Sequence, residues 1–434
     1  METASETVRN NASWSVAGRP TRIFFAATVT GVAILAGHRD ILPVFRSHFM
    51  EYLTIGDGRF GMLFSIGAVT GLLGVLFGGR IIDRLGPRRV IRVCVTGVGA
   101  AMFIAAFGGA RYAAFVLALA VSGLFTAPLA IAVTAYLGKL FPKHQRRVIS
   151  LNLASTSIGG IVFPILAEAL LALAAASEVV TFAHVLHVPF VITGALLVSA
   201  GFIYRAPPPV GRRLVTAATD ARRRTRAGAG ISARSVSLAF LIAAHGVCDV
   251  ALFNWMARFL ESMGEGPIAP GVIVSGYSLA YALARITVAA LPDSVGRRAF
   301  LVLPGIVGGA VLSAGIVSRE YVLIAGGYVV GAFFWSAEFP AMVSTLMRCE
   351  RKRFGTAMAT AGVITGVLSF VTMNAIGIAV QRLGAEAMWI VMVFPAGSFV
   401  MIGFGGLAWL LVFDRRPSGG QRDAALPHCR LDIQ

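Results

Sequence analysis

Hydrophobic residues fall in twelve long blocks along this chain, at about 22–45, 61–82, 90–108, 113–138, 148–176, 183–204, 236–261, 270–291, 299–317, 321–347, 354–381 and 387–413. A bilayer core of about 30 Å takes about 20 apolar residues in one helical crossing, and a helix satisfies its own backbone polar groups there. Each block therefore predicts a transmembrane helix. Polar stretches divide the chain into an N-tail (1–21), a first set of six blocks (22–204), a basic linker (205–235), a second set of six (236–413) and a C-tail (414–434). The first twenty residues carry Glu2, Glu6 and Arg9 and lack the apolar centre of a secretory signal. The first block is thus expected to stay in the mature protein.

Composition agrees with the pattern: 57% of residues are hydrophobic and 13% charged, with a mean hydropathy of +0.78. The formal charge of +18 would point to nucleic acid in a soluble protein, but its distribution excludes that partner. Basic residues crowd into alternate loops, eight of them between 205 and 234, whereas the opposite loops hold only Arg46, Arg59, Arg111, Arg258, Arg319 and Arg382. Positive charge stays inside, so both termini and the linker are expected in the cytoplasm.

Between the second and third blocks lies Gly79-Arg80-Ile81-Ile82-Asp83-Arg84-Leu85-Gly86-Pro87-Arg88-Arg89. Glycine at 79 permits close helix packing, Gly86 allows a tight reversal, and Asp83 suits the exposed N–H groups of a helix N-terminus. A degenerate copy occurs at Pro292-Asp293-Ser294-Val295-Gly296-Arg297-Arg298. This pair resembles the cytoplasmic loop motif of the major facilitator superfamily. The resemblance implies an all-α integral membrane protein with the major facilitator fold: twelve transmembrane helices in two pseudo-symmetric six-helix bundles. It also implies that Gly79, Asp83, Arg84, Gly86, Arg88, Asp293, Gly296, Arg297 and Arg298 form a cytoplasmic gate. Asp83 would then meet the start of helix eleven near Phe354 and Gly355, and Asp293 the start of helix five near Ser150.

The halves align at an offset of 210 residues, with Leu42 on Leu252, Glu51 on Glu261, Gly56 on Gly266 and Asp83 on Asp293. Such repeats suit two bundles that rock about a site between them. Ionisable residues inside crossings are costly and face cavities or partners. Four sites stand out: His38, Arg39 and Asp40 in the first helix, Asp249 in the seventh, Arg285 in the eighth and Glu338 in the tenth. The offset sets Arg39 against Asp249. Two guanidinium groups in a cavity favour a carboxylate, phosphate or sulfate, so Arg39, Arg285 and His38 are the expected contacts to a small organic anion. Asp249, Glu338 and Asp40 are the expected proton carriers. Ala284-Arg285 and the helix-seven run Phe253-Asn254-Trp255-Met256-Ala257-Arg258 resemble the organic-anion branches of the superfamily, namely monocarboxylate and oxalate carriers and anion symporters. Helix four, Ala118-Leu119-Ala120-Val121-Ser122-Gly123, lacks the arginine common in anion symporters.

Function on this reading is secondary active transport by alternating access, not enzymatic catalysis. An exporter of amphipathic or cationic compounds and a transport-dead sensor or scaffold are the alternatives. Cys94, Cys248, Cys349 and Cys429 form no C-x-x-C pair, His184 and His187 are a thin metal set, and no Gly-x-x-x-x-Gly-Lys-Ser loop occurs. No cofactor and no metal are expected. The expected partners are the anionic solute, protons and lipid, for a monomer in the bacterial plasma membrane.

Overall fold

The computed structural model describes residues 20–35, 41–42, 44–142, 144–177, 179–204, 231–264, 266–268, 270–291, 296–383 and 388–413. Residues 20–33 form α1. Then follow α2 (Arg46–Leu53), α3 (Asp57–Leu85), α4 (Pro87–Phe107), α5 (Tyr112–Leu140), α6 (Gln145–Ala176) and α7 (Phe182–Tyr204). The second half comprises α8 (Ala233–Ser262), α9 (Pro270–Ala290), α10 (Arg297–Phe300), α11 (Leu303–Ser318), α12 (Tyr321–Cys349), α13 (Phe354–Leu383) and α14 (Met388–Phe413). Among the described residues, eleven helices are long and apolar enough to cross a membrane. The expected first crossing at 22–45 is helical over 20–33, and its continuation through 36–40 lies outside the described residues. The expected helix at 299–317 is broken at Leu301 and Val302. Pro304 sits two residues beyond that break, where it lacks an N–H and its ring would crowd the carbonyl of Phe300 in a continuous helix.

Helices α1 to α7 and α8 to α14 build two bundles with matching contacts. In the first, α3 and α4 pack on α5, and α4 on α7; in the second, α9 and α11 pack on α12, and α11 on α14. Local detail repeats too. Tyr112 donates to the Arg59 carbonyl at 2.8 Å, and Tyr321 donates to the Ile268 carbonyl at 2.5 Å. Thr54 and Gly264, equivalent under the repeat, both adopt left-handed backbone, with φ of 52° and 93°. Phe141 and Glu350 cap α5 and α12 with φ/ψ of −119°/65° and −121°/56°. The outer surface is apolar, with Phe107 and Phe394 more than 70% exposed, as helices facing hydrocarbon require.

Helix α3 reverses into α4 through the one residue Gly86, whose φ is 84°. A side chain would strain that backbone. Pro87 follows at the first position of α4, where a missing N–H costs nothing. The bundles meet along two seams, α3 on α13 and α6 on α9.

Candidate functional site

At the cytoplasmic end of the first seam, the Asp83 carboxylate lies at the N-terminus of α13. Its Oδ1 accepts from the Gly355 N–H at 2.9 Å, and its Oδ2 accepts from the Thr356 N–H at 2.7 Å and the Thr356 hydroxyl at 2.6 Å. The first amides of a helix have no internal partner and carry the positive end of its dipole, so an anion is the natural cap. Gly79 allows this approach: a Cβ there would meet the Gly355 carbonyl and Ala359. Arg88 has a different position, its Nε donating to the Tyr204 carbonyl at 2.9 Å, where it caps the end of α7 within the first bundle. Arg84 and Arg298 are exposed and Gly296 is the N-cap of α10. Asp293 and the Arg297 side chain lie outside the described residues, so the meeting of Asp293 with Ser150 does too.

The second seam is tied by Arg285. From α9 its Nη1 donates to the Leu153 carbonyl at 2.9 Å and to the Ser157 hydroxyl at 2.8 Å, both on α6 of the other bundle. Ser150 on α6 donates in return to the Arg285 carbonyl at 2.6 Å. One turn nearer the cytoplasm, Arg146 Nη2 donates to the Leu291 carbonyl at 3.3 Å, and its guanidinium lies 5.0 Å over Phe300. At a third point Gly138 of α5 receives the Met347 side chain of α12. These two positions are 209 residues apart in the chain, one short of the 210-residue register, so closely corresponding points of the two halves meet here. Helix rise is about 1.5 Å per residue, so the ties from Arg146 to Ser157 cover the cytoplasmic half of the seam.

Arg285 also leads to a polar and aromatic cluster inside the second bundle. Its guanidinium carbon lies 4.7 Å over the Tyr281 ring. The hydroxyls of Tyr281 and Tyr277 both donate to Asp249 Oδ1 on α8, and Trp335 Nε1 on α12 donates to the Tyr281 oxygen at 2.8 Å. Tyr277 stacks between Tyr281 and Tyr328, with centroids at 4.5 Å and 4.7 Å. Asp249 and Arg285 are half-buried and the tyrosines buried. The tyrosines were not singled out in the sequence, although Tyr277, Tyr281 and Arg285 recur every four residues, the spacing of one helix face.

Glu338 takes a different place from Asp249. It has 0% exposure, and its Oε2 is 3.3 Å from His245 Nδ1 on α8. Its Oε1 has no hydrogen-bond partner, and both oxygens abut Gly305, where a Cβ would lie 2.9 Å away. His245 is held in turn against Phe399 and Phe339, 5.1 Å and 5.7 Å between centroids. This pair belongs to the packing of α8, α11, α12 and α14. His245 escaped the sequence reading because a lone histidine in an apolar helix has no partner until another helix brings one. His38, Arg39 and Asp40 lie outside the described residues.

The structure thus links Arg285 and Asp249 through Tyr281 and gives Glu338 a different partner, His245. No metal-binding group of three or more His, Cys, Asp or Glu occurs among the described residues.

Comparison with known proteins gives one family and one fold. A family model described as Major Facilitator Superfamily matches residues 23–272. No curated protein matches. FucP in an outward conformation superposes with a TM-score of 0.69 at 14% identity, over 89% of this chain and 98% of that one. The E. coli fucose:proton symporter FucP gives 0.68 at 13%, over 91% and 98%. The proton:xylose symporter XylE, bound to 6-bromo-6-deoxy-D-glucose, gives 0.67 at 12%, over 91% and 95%. At these identities the likeness is one of fold.

Proposed function

Because the chain belongs to the Major Facilitator Superfamily and is a multi-pass membrane transporter of that fold, we propose that it carries a small organic anion together with protons by alternating access. The observation behind this reading is Tyr281, whose ring lies under a fixed cation and whose hydroxyl donates to a carboxylate. Arg285 sits over the Tyr281 ring at the seam between bundles, and the Tyr281 hydroxyl donates to Asp249. Arginine stays charged and matches a carboxylate with its planar fork, so Arg285 is the anion contact. Asp249 is the proton carrier: neutralising it weakens its hold on two tyrosine hydroxyls, and Tyr281 transmits that change to the anion contact.

Arg285 has a second role in the cycle. Its Nη1 donors hold Leu153 and Ser157 on α6, and a bound carboxylate competes for the same donors. Substrate binding thereby loosens the clasp between α6 and α9, while the Asp83 contact holds the other seam until the bundles rock. Coupling of binding to motion needs such a differential contact.

A second reading, a neutral polyol symporter, draws on the stacked tyrosines with their shared carboxylate and on the fucose and xylose symporters among the structures of like fold. Uptake into proteoliposomes separates the two. With a panel of monocarboxylates, dicarboxylates and neutral sugars under an imposed pH gradient, the anion reading expects a carboxylate to accumulate. Arg285→Gln then abolishes its uptake, and Asp249→Asn abolishes accumulation but spares exchange of labelled for unlabelled solute. Accumulation of a neutral sugar alone, or carboxylate uptake untouched by Arg285→Gln, would overturn the proposal.

A further inference from the structure

At the linker side of the second bundle, the start of α8 and the end of α14 enclose a surface groove of about 420 Å³. Phe240, Leu241, Trp409 and Phe413 line it, and Ser237 is its one hydroxyl. Gly405 keeps the floor low, since a Cβ there would meet Leu241 at 2.7 Å. Phe240 is 54% exposed beside it. On a helix that crosses a bilayer, such exposure is to acyl chains.

Among the described residues, a cation stands at the mouth. The Arg234 guanidinium carbon lies 4.9 Å over the Trp409 ring, and its Nε, although buried, has no hydrogen-bond partner. The Arg234 carbonyl accepts from Trp409 Nε1 at 3.0 Å and from the Ser237 hydroxyl at 2.9 Å, which fixes the indole as the wall of the groove beneath the charge. Glu350, the nearby carboxylate, is engaged elsewhere, accepting from the Ser232 N–H at 3.2 Å and hydroxyl at 3.0 Å.

We propose that this groove holds one acyl chain of an anionic phospholipid whose phosphate is bound by Arg234. Charge and shape both select that occupant. An apolar slot in a bilayer-facing surface takes a hydrocarbon chain without loss of hydrogen bonds, and a guanidinium at its headgroup end prefers a phosphate that carries net negative charge. The basic linker that runs into α8 places this end in the cytoplasmic leaflet, where acidic lipids attract juxtamembrane arginines. Arg234 stands fifteen residues before Asp249 on α8, about 22 Å along the helix axis at about 1.5 Å per residue, so the site stands or falls apart from the substrate.

Native mass spectrometry of the delipidated full chain, titrated back with phosphatidylglycerol or phosphatidylcholine, tests this. One phosphatidylglycerol should survive activation that strips all others, and phosphatidylcholine should be held at least tenfold less. Arg234→Gln should remove that one adduct, Arg234→Lys should weaken it, and Ala408→Trp, which fills the slot from an exposed position, should remove it while leaving unfolding in detergent unchanged. Glycerol phosphate, a headgroup without a chain, should neither bind nor stabilise. Equal retention of both lipids, retention by Arg234→Gln, equal stabilisation by glycerol phosphate, or a dimer in place of the lipid adduct would each overturn the proposal. If Ala408→Trp lowers stability, the Arg234→Gln result decides.

Discussion

Replacing Asp83 by asparagine removes the charge from the cap of α13 while leaving the volume almost unchanged. The carboxylate takes three hydrogen bonds, at 2.9, 2.7 and 2.6 Å, from Gly355 and Thr356. Asparagine has one acceptor oxygen, so its amide group must face a donor that the carboxylate satisfied. A hydrogen bond to a charged group is worth about 1.5–3 kcal/mol net, and a charge at a partly buried helix terminus adds up to about 2 kcal/mol. Losing one such bond and the charge term shifts the balance between cytoplasm-closed and cytoplasm-open forms by about 3 kcal/mol, or roughly 150-fold. Ser150 reports the shift because it is 0% exposed beneath α9 on the opposite seam. With Cys94, Cys248, Cys349 and Cys429 replaced by alanine and Ser150→Cys introduced, a membrane-impermeant maleimide applied from the cytoplasmic side should react far faster in Asp83→Asn. Transport should slow while surface expression holds. Labelling within twofold of the parent at equal expression would refute the reasoning, because two rocking bundles cannot open at one seam alone.

Gly79→Val should act in the same direction, since the added side chain meets the Gly355 carbonyl and Ala359, and the same maleimide assay should register it. Thr356→Val removes only the 2.6 Å hydroxyl contact and should give a smaller increase than Asp83→Asn. His245→Ala leaves Glu338 buried without its one hydrogen-bonding neighbour, at a cost of about 1–3 kcal/mol. Its thermal unfolding should move down, and adding Glu338→Met should restore much of the loss, whereas a double variant as unstable as the single would show that the pair is not what holds those helices. Tyr281→Phe keeps the ring under Arg285 but removes the hydroxyl that joins Trp335 and Asp249. Uptake should lose its dependence on the pH gradient more than its affinity, and an unchanged gradient response would count against the coupling route.

The repeated motif and the 210-residue register made the architecture legible, because membrane crossings are dictated by local apolar length and the gate loop by the residue types its turn demands. Gly86 is an instance: its positive φ and the proline after it are written in adjacent letters. The break at Leu301 and Val302 was not read, because the hydropathy pattern runs straight over it.

The candidate site was only partly legible. Arg285 and Asp249 stood out as charges in apolar helices, but nothing in the order of residues says that Tyr277 and Tyr281 turn toward Asp249, or that Arg285 reaches across to Leu153 and Ser157. Glu338 looked equivalent to Asp249 by the same criterion, yet it packs against Gly305 and His245 within one bundle. The chain by itself determined which segments enter the bilayer and where the halves repeat, since each follows from short-range composition. Only the tertiary structure decided which buried charges meet, because that depends on the rotation of each helix about its axis, and a helix that is apolar all round carries no stripe to announce it.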